Sequence, residues 1–349
     1  MPVHLTDIAA EASDIEAEAV NTATGTTLLG ATFTDAGLRA AFSRRGHTTR
    51  LRQYTVTGAV FDTSLCTMHL HGRLIAETAY LAAGHEWTEP DARVDKVLNA
   101  DAGHRPILGF NRGWADYHHW TMQVLPAIDH AIRTCRGMRP LCILPQIGRS
   151  QEATLRLLGH AHARYVSVAP HQRVQISACQ ISDLLTGGAD AGVSFAVHDT
   201  CRRLAERANA TADAGELLYV AQSDASPAPL VNEEALALRL GRMGFRVVTT
   251  AGLTPEEQIA IFRRARAVVG PPGTGMSNIG FCAQGTLVYE LVPRAAPSNR
   301  LSLLAQAAGL IYAADLFDDH PAEDAAEDGW RADPALVEAR LEELLDLVA

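Results

Sequence analysis

The stretch Ala265-Arg266-Ala267-Val268-Val269-Gly270-Pro271-Pro272-Gly273-Thr274-Gly275-Met276-Ser277-Asn278 organises the reading of the whole chain. A strand of small and β-branched apolar residues runs into a glycine-containing turn and then into a helix that leads to Phe281. Gly273 and Gly275 permit close backbone approach, and the free N–H groups and positive dipole end of the helix favour a phosphate. Thr274 and Met276 complete that backbone, while Ser277 and Asn278 add side-chain donors. A second reading stays open: Gly-Thr-Gly-Met-Ser-Asn also looks like a broken dinucleotide fingerprint, and many strand-to-helix turns carry glycine without any ligand.

The strand that follows, residues 286–291, sets Glu290 inside an apolar run. A carboxylate there needs partners. Ribose hydroxyls of a bound nucleotide would satisfy it, and so would a local hydrogen bond to backbone.

Outward from this point the alternation of strand and helix continues. Strand-like segments at 216–221 and 245–249, with helices near 232–243, 255–265 and 275–282, follow the order of a parallel sheet. An earlier series at 106–110, 141–145, 165–169 and 174–181, separated by helical patterns over 117–133 and 152–160, gives another β/α domain. A helix over 199–208 follows the Gly187-Gly188-Ala189-Asp190 stretch. Runs at 54–61, 66–71 and 73–78 predict a small antiparallel sheet ahead of that series. Residues 1–50 predict an acidic, alanine-rich helix and a polar stretch over 21–27, an appendage to the core. At the other end Leu336, Leu341, Leu344 and Leu347 make 333–348 an amphipathic helix. The expectation is an α/β protein with two Rossmann-like domains: a helical appendage at 1–50, an N-terminal β/α domain at 51–195, a C-terminal β/α domain at 196–300 and a helical segment at 301–349. Parallel sheets bind ligands beyond the carboxyl ends of their strands, so the two domains are expected to face one another across a central cleft.

Composition narrows the chemistry. A chain of 349 residues is long enough for two domains, and 47% hydrophobic with 20% charged residues describes an ordinary globular protein. A formal charge of −10 argues against a broad nucleic-acid surface. Lys96 is the single lysine, which removes Schiff-base and P-loop schemes and leaves cationic chemistry to arginine. Six cysteines without C-x-x-C spacing predict reduced, buried thiols. The amino terminus lacks a signal-peptide pattern and no apolar run approaches the roughly 18 residues of a membrane span, so the expected location is cytoplasmic.

A second concentration of chemistry lies at Asn111-Arg112-Gly113-Trp114-Ala115-Asp116-Tyr117-His118-His119-Trp120-Thr121-Met122-Gln123, where a strand end meets a helix. Asp116 reads as the N-cap or first-turn residue. Histidine is the side chain best suited to move a proton near neutral pH, which singles out His118 and His119. Tyr117 and Trp120 also read as core residues. Elsewhere His69 and His71, two apart, are expected to share a strand face, and His160 and His162 to flank a helix end. Neither pair has the third ligand a metal site needs, so solvated histidines are expected there.

Together these segments resemble the family-61 glycosyltransferases, a group that adopts the two-domain GT-B architecture. The resemblance runs from about residue 108 to 293. Its features, in order, are Tyr117-His118-His119-Trp120 followed by Leu125-Pro126; Leu218-Tyr219-Val220-Ala221-Gln222-Ser223-Asp224 leading to Asn232-Glu233-Glu234; Gly244-Phe245, then Leu253-Thr254-Pro255-Glu256-Glu257-Gln258; and the Gly270 to Asn278 turn with Phe281, Glu290 and Pro293. The chain carries Ala221-Gln222 where the family usually has Ser-Arg, Pro272-Gly273 where it has His-Gly, and Asp116 where Asn is common. An absent Arg and His leave the grip on a diphosphate to other arginines, with Arg112, Arg294 and Arg300 as the candidates.

The resemblance implies a metal-independent glycosyltransferase acting on a UDP- or GDP-sugar, with a carbohydrate or other small-molecule acceptor. On that reading His119 or Asp116 deprotonates the acceptor, with His118 beside them. Arg112, Tyr117, Gln222, Gly273, Thr274, Gly275, Met276, Ser277, Asn278 and Glu290 hold the nucleotide-sugar. Two other readings use the same residues: a flavin-independent mutase that interconverts pyranose and furanose rings, and a nucleotide-sugar-binding protein without catalysis. A dinucleotide-dependent oxidoreductase ranks last, because the glycine turn falls in the second half of the chain and lacks the third glycine. No flavin fingerprint precedes the first β/α unit and no Asp-x-Asp occurs in the strand–helix domains, so the expected cofactors are none: no flavin, no NAD and no metal.

Overall fold

A computed structural model of the chain describes residues 1–14, 25–43, 51–81, 93–99, 103–186, 195–210, 215–222, 229–318 and 329–348. The Gly187–Asp190 stretch, most of the polar stretch at 21–27, and Ser223 and Asp224 lie outside the described residues. The chain divides into two compact units: Met1–Val20 with Thr48–Thr200, and Asn21–His47 with Cys201–Ala349.

In chain order the described strands are β1 (Glu11–Asp14), β2 (Thr26–Leu29), β3 (Arg52–Asp62), β4 (Thr67–Leu70), β5 (Arg73–Leu74), β6 (Lys96–Leu98), β7 (His104–Leu108), β8 (Arg139–Leu144), β9 (Arg164–Ser167), β10 (Arg173–Ser182), β11 (Glu216–Val220), β12 (Phe245–Val248), β13 (Ala265–Gly270), β14 (Leu287–Pro293) and β15 (Ile311–Phe317). The result is a mixed α/β protein.

The first unit holds a nine-stranded sheet ordered β5-β4-β3-β10-β7-β8-β9, with β1 on β3 and β6 on β10. The antiparallel β3-β4-β5 meander predicted from the β-branched runs is present. It joins the parallel β7-β8-β9 set through β10, which pairs antiparallel with β3 along its length. Helix Leu125–Thr134 crosses from β7 to β8 and Arg149–Leu157 from β8 to β9. Gly109 lets the first of these lie close to the sheet: a Cβ there would stand 2.7 Å from Leu144 and 3.2 Å from Ile128.

The second unit is a six-stranded, all-parallel sheet ordered β12-β11-β13-β14-β15-β2. Its strands read as near-continuous apolar runs because both faces are covered. On one face Tyr219, Leu287, Tyr289 and Leu291 pack with Leu236 and Leu240 of helix Glu233–Arg242, Val337 and Leu341 of helix Pro334–Leu347, and Trp330. Alternation sends Val288, Glu290 and Val292 to the opposite face.

Two expectations about the ends are corrected. The described parts of the first 50 residues are not one helical appendage: beside the helices Leu5–Ile8 and Ala36–Ser43 they carry β1, and β2 forms an edge of the second sheet, parallel to β15. Alanine-rich composition favours helix, but pairing to an open sheet edge outweighs that weak local preference. Residues 301–349 are likewise not all helix, since β15 fills a central place between β14 and β2.

Candidate functional site

Each unit carries candidate side chains at the carboxyl ends of its parallel strands, and each set is built by a different local device. In the first unit β7 ends at Leu108 and the chain turns through Asn111. Asn111, 6% exposed, holds that turn from within: its Oδ1 accepts from the Gly113 N–H at 3.0 Å, and its Nδ2 donates to Gln123 Oε1 at 2.9 Å and to the Leu185 carbonyl at 3.1 Å. Asp116 then caps the helix as the sequence predicts. Its Oδ1 accepts from the His119 N–H at 2.9 Å and lies 2.9 Å from His119 Nδ1. The His119 side-chain hydrogen bond holds the Asp116 carboxyl below its ordinary range. Gly113 has to be small here, because a Cβ would meet His119 Cγ at 2.5 Å. His118 stands edge-on to His119 with ring centroids 5.6 Å apart. Tyr117 starts the helix, and Arg112 is exposed on the turn.

Immediately after His119 the helix widens into one π-type turn, Trp120–Val124, in which the Leu125 N–H reaches back to the Trp120 carbonyl. Pro126 has no N–H to continue the regular ladder, so the preceding turn expands instead. Trp120 is core, as its alternative reading had it, and its indole N–H donates to Thr154 at 3.0 Å.

In the second unit the chain goes from β11 to β12 on one side and then returns to β13 on the other side of β11. The carboxyl ends of β11 and β13 therefore flank a topological switch point, where open α/β sheets bind ligands. Gln222 follows β11, and the turn 271–275 follows β13. Gln222 spans the two: its Nε2 donates to the Pro272 carbonyl at 3.3 Å, and its Oε1 accepts from the Leu230 N–H at 2.9 Å. Two positions at which the chain departs from the family-61 pattern are thus in contact with one another, and a neutral side chain there does bracing work.

Beyond the turn the helix is a 3-10 helix, Thr274–Phe281. Gly273 and Thr274 are exposed and Gly275 is half-buried, so their backbone is what the switch point offers a ligand. Met276, Ser277 and Asn278 are buried at 1%, 1% and 0% exposure. Asn278 donates to Gln258 at 2.9 Å, which fastens the 3-10 helix to helix Pro255–Arg263. The expected side-chain donors of the turn are therefore interior groups. Gly270 and Gly275 serve close packing: a Cβ on Gly270 would stand 2.8 Å from the Val220 carbonyl, and one on Gly275 3.0 Å from Thr250.

Glu290 is 1% exposed and accepts a hydrogen bond from the Tyr312 hydroxyl. Burial pushes its carboxyl up to about 8. β14 continues past Glu290 to Pro293, so the carboxyl lies within the sheet, where a phenol is its partner and not the backbone group that the sequence offered as the alternative to a ribose. Arg294 is engaged by Asp318, and Arg300 opens helix Arg300–Ala307.

The remaining histidines also find places the sequence did not foretell. His71 sits in the β4–β5 turn at φ 49°, so it does not share a face with His69. His69 is 7% exposed beside Thr67, and burial lowers its pKa. His160 is 3% exposed and lies 2.7 Å from Asp129, whose carboxylate also meets Arg133 at 3.2 Å. Neither is a solvated residue. Among the described residues no three His, Cys, Asp or Glu side chains come together as a metal cluster, and no helix is long and apolar enough to cross a membrane.

The second unit is an open, parallel α/β sheet with a glycine turn at its switch point, and the first presents a carboxylate–imidazole pair at a helix start; the chain is a two-unit α/β protein. The chain belongs to glycosyltransferase family 61. That family's model, described as Glycosyltransferase 61, matches residues 117–289, about half of the chain, from the Tyr117 helix start to β14. No curated protein matches the sequence. The family indicates glycosyltransferase activity, and with it a sugar donor and an acceptor.

Proposed function

We propose that the chain is a metal-independent glycosyltransferase of GT-B type that takes a nucleoside-diphosphate sugar, UDP- or GDP-linked, and transfers the sugar to an acceptor hydroxyl. The observation that carries this reading is the Asp116–His119 pair, 2.9 Å from Oδ1 to Nδ1. When Nδ1 carries the proton and donates it to Asp116, Nε2 is left as a base. A carboxylate held ionised also stabilises the imidazolium that forms as the acceptor loses its proton, the division of labour seen wherever a carboxylate orients a catalytic histidine.

The donor end of the reaction falls to the second unit. Its diphosphate accepts from the backbone N–H groups at the start of the 3-10 helix, around Thr274 and Gly275, which lie at the positive end of that helix. The same donors stabilise the nucleoside diphosphate as it departs.

The test is incubation of the pure chain with UDP- and GDP-sugars in the presence of a chelator, with and without candidate hydroxyl acceptors, followed by chromatography and NMR. Acceptor-dependent release of nucleoside diphosphate is expected. It should fall by roughly 10²–10⁴-fold in His119→Gln, and substantially in Asp116→Asn, with nucleotide affinity retained. Loss of activity on chelation would refute metal independence. An isomeric nucleotide-sugar of unchanged mass would replace transfer by ring interconversion, and binding without turnover would identify a binding protein.

A further inference from the structure

The first unit contains a cavity of about 560 Å³ that the candidate residues above leave unexplained, a size that takes small organic ligands. Its lining combines two aromatic rings, Phe110 and Trp114, with hydrogen-bonding side chains from Gln146, Ser167 and Gln172. Of the described residues that line it, Lys96 alone is charged, and Lys96 is the single lysine in the chain.

Sheet register explains how Lys96 comes to face this space. In β6 it pairs with Val174 of β10, and Val174 pairs in turn with Phe61 of β3. Directly paired residues share a face, so Lys96, Val174 and Phe61 lie in one row. Phe61 meets Phe110 edge-on with ring centroids 5.1 Å apart, which carries that row to the cavity wall. The adjacent Asp95 is turned away from Lys96: its Oδ2 accepts from the Arg173 N–H at 2.9 Å, and its Oδ1 lies 3.8 Å from Arg93 Nε. Among the described residues no carboxylate forms an ion pair with Lys96.

We infer that this cavity binds a saccharide bearing an anionic group, with the sugar ring against the half-buried Trp114, Phe110 forming the floor behind it, and the anion on Lys96. Aromatic faces accept the apolar C–H face of a ring, and amides and hydroxyls match its oxygens. Lys96, a half-buried residue with no ion-paired carboxylate among the described residues, supplies the counter-charge that a neutral sugar would leave unused. The anion is a carboxylate or a phosphate, chemistries that Lys96 serves alike as a point charge. Trp114 is also two residues before Asp116, which makes this ligand the natural acceptor of the reaction; that last assignment rests on the transferase reading, whereas binding does not.

The lone lysine supplies its own probe. Reductive ¹³C-dimethylation of the full-length protein labels Lys96 and the terminal amine only, and the Lys96 signal can be followed by NMR without nucleotide present. Glucuronate and glucose 6-phosphate are the two arms, with glucose and inorganic phosphate as controls. The expected result is a saturable shift of the Lys96 signal with at least one anionic sugar, and at least tenfold weaker binding of glucose and of phosphate alone. Lys96→Gln should remove that preference and Lys96→Arg should keep most of it, with thermal unfolding checking that both variants fold. Equal binding of glucose and the anionic sugars, equal binding of phosphate and glucose 6-phosphate, or an unchanged preference in Lys96→Gln would each overturn the inference. Selective binding without any turnover on a nucleotide-sugar would leave the cavity assigned and refute the transferase reading instead.

Discussion

Glu290 shows how one interior group couples this protein to pH. Its carboxyl, buried against Tyr312, is held up at about 8, whereas in the unfolded chain it titrates near the ordinary value of 4.5. Between those two values the unfolded state has lost the proton that the folded state keeps, so stability falls as pH rises from about 4.5 to 8 and then levels off. Glu290→Gln retains the shape and removes the titration. Its unfolding free energy should therefore gain on the wild type as pH rises, by on the order of 3 kcal/mol at pH 8.5, measured by urea denaturation at pH 5 and pH 8.5. Parallel pH profiles would show that Glu290 ionises freely. The Asp116 carboxylate behaves in the opposite sense: its lowered pKa contributes stability above the unfolded value, which is lost as pH falls through the folded one.

At the scale of the element, the turn after β13 separates glycines used for packing from one, Gly273, that faces open space. A Cβ at Gly270 would stand 2.8 Å from the Val220 carbonyl and 3.0 Å from Met276 Sδ, whereas one at Gly273 would meet nothing within 4 Å. Gly270→Ala should destabilise the protein by roughly 1–3 kcal/mol through overpacking. Gly273, whose φ of 178° any residue can adopt, is different: Gly273→Ala should leave thermal stability within about 0.5 kcal/mol and, on the proposed reading, weaken nucleotide-sugar binding, because the added methyl would stand in the path of the diphosphate. Calorimetry and titration with a nucleoside diphosphate test the pair. Unchanged affinity in Gly273→Ala would move the diphosphate elsewhere. The asymmetry follows from the 3-10 helix, whose buried half, Met276 to Asn278, is committed to the fold while its first residues are not.

At the scale of the whole molecule, the amino-terminal segment belongs to both units. β1 pairs with β3 in the first, and β2 forms an edge of the second. Docking of β2 completes a buried site around Asp315, which is 1% exposed. Thr32 donates to Asp315 Oδ1 at 2.7 Å, the Tyr289 hydroxyl donates to Oδ2 at 3.1 Å, and Arg340 lies 3.5 Å away. A Cβ on Gly30 would fall 1.8 Å from that carboxylate, so the segment passes at a distance only glycine permits. Removing residues 1–47 should therefore expose the β15 edge, deprive Asp315 of Thr32 and cost the second unit its cooperative unfolding transition, seen by circular dichroism and calorimetry. A truncated chain that melts like the full one would restore the appendage reading.

Much of this is legible in the sequence, and for identifiable reasons. The alternation of apolar runs with helical periodicity located β7 to β15 except for the last, and the cap at Asp116 could be read because it depends on neighbours three residues away. Asp116 and His119 were each singled out there, and their side-chain contact at 2.9 Å is what the structure adds. What lay beyond the sequence is whatever depends on partners distant along the chain. Asp129 with His160, Asp315 with Thr32, and Glu290 with Tyr312 are joined only by packing, and composition cannot tell such a buried, satisfied group from a solvated or ligand-facing one. The same holds for β2, whose place is set by the edge of a sheet built from residues far along the chain. Local sequence thus determined most of the elements, the turn and the cap at Asp116; tertiary structure alone decided which polar groups became interior, because burial is a property of the assembled sheet and not of the segment.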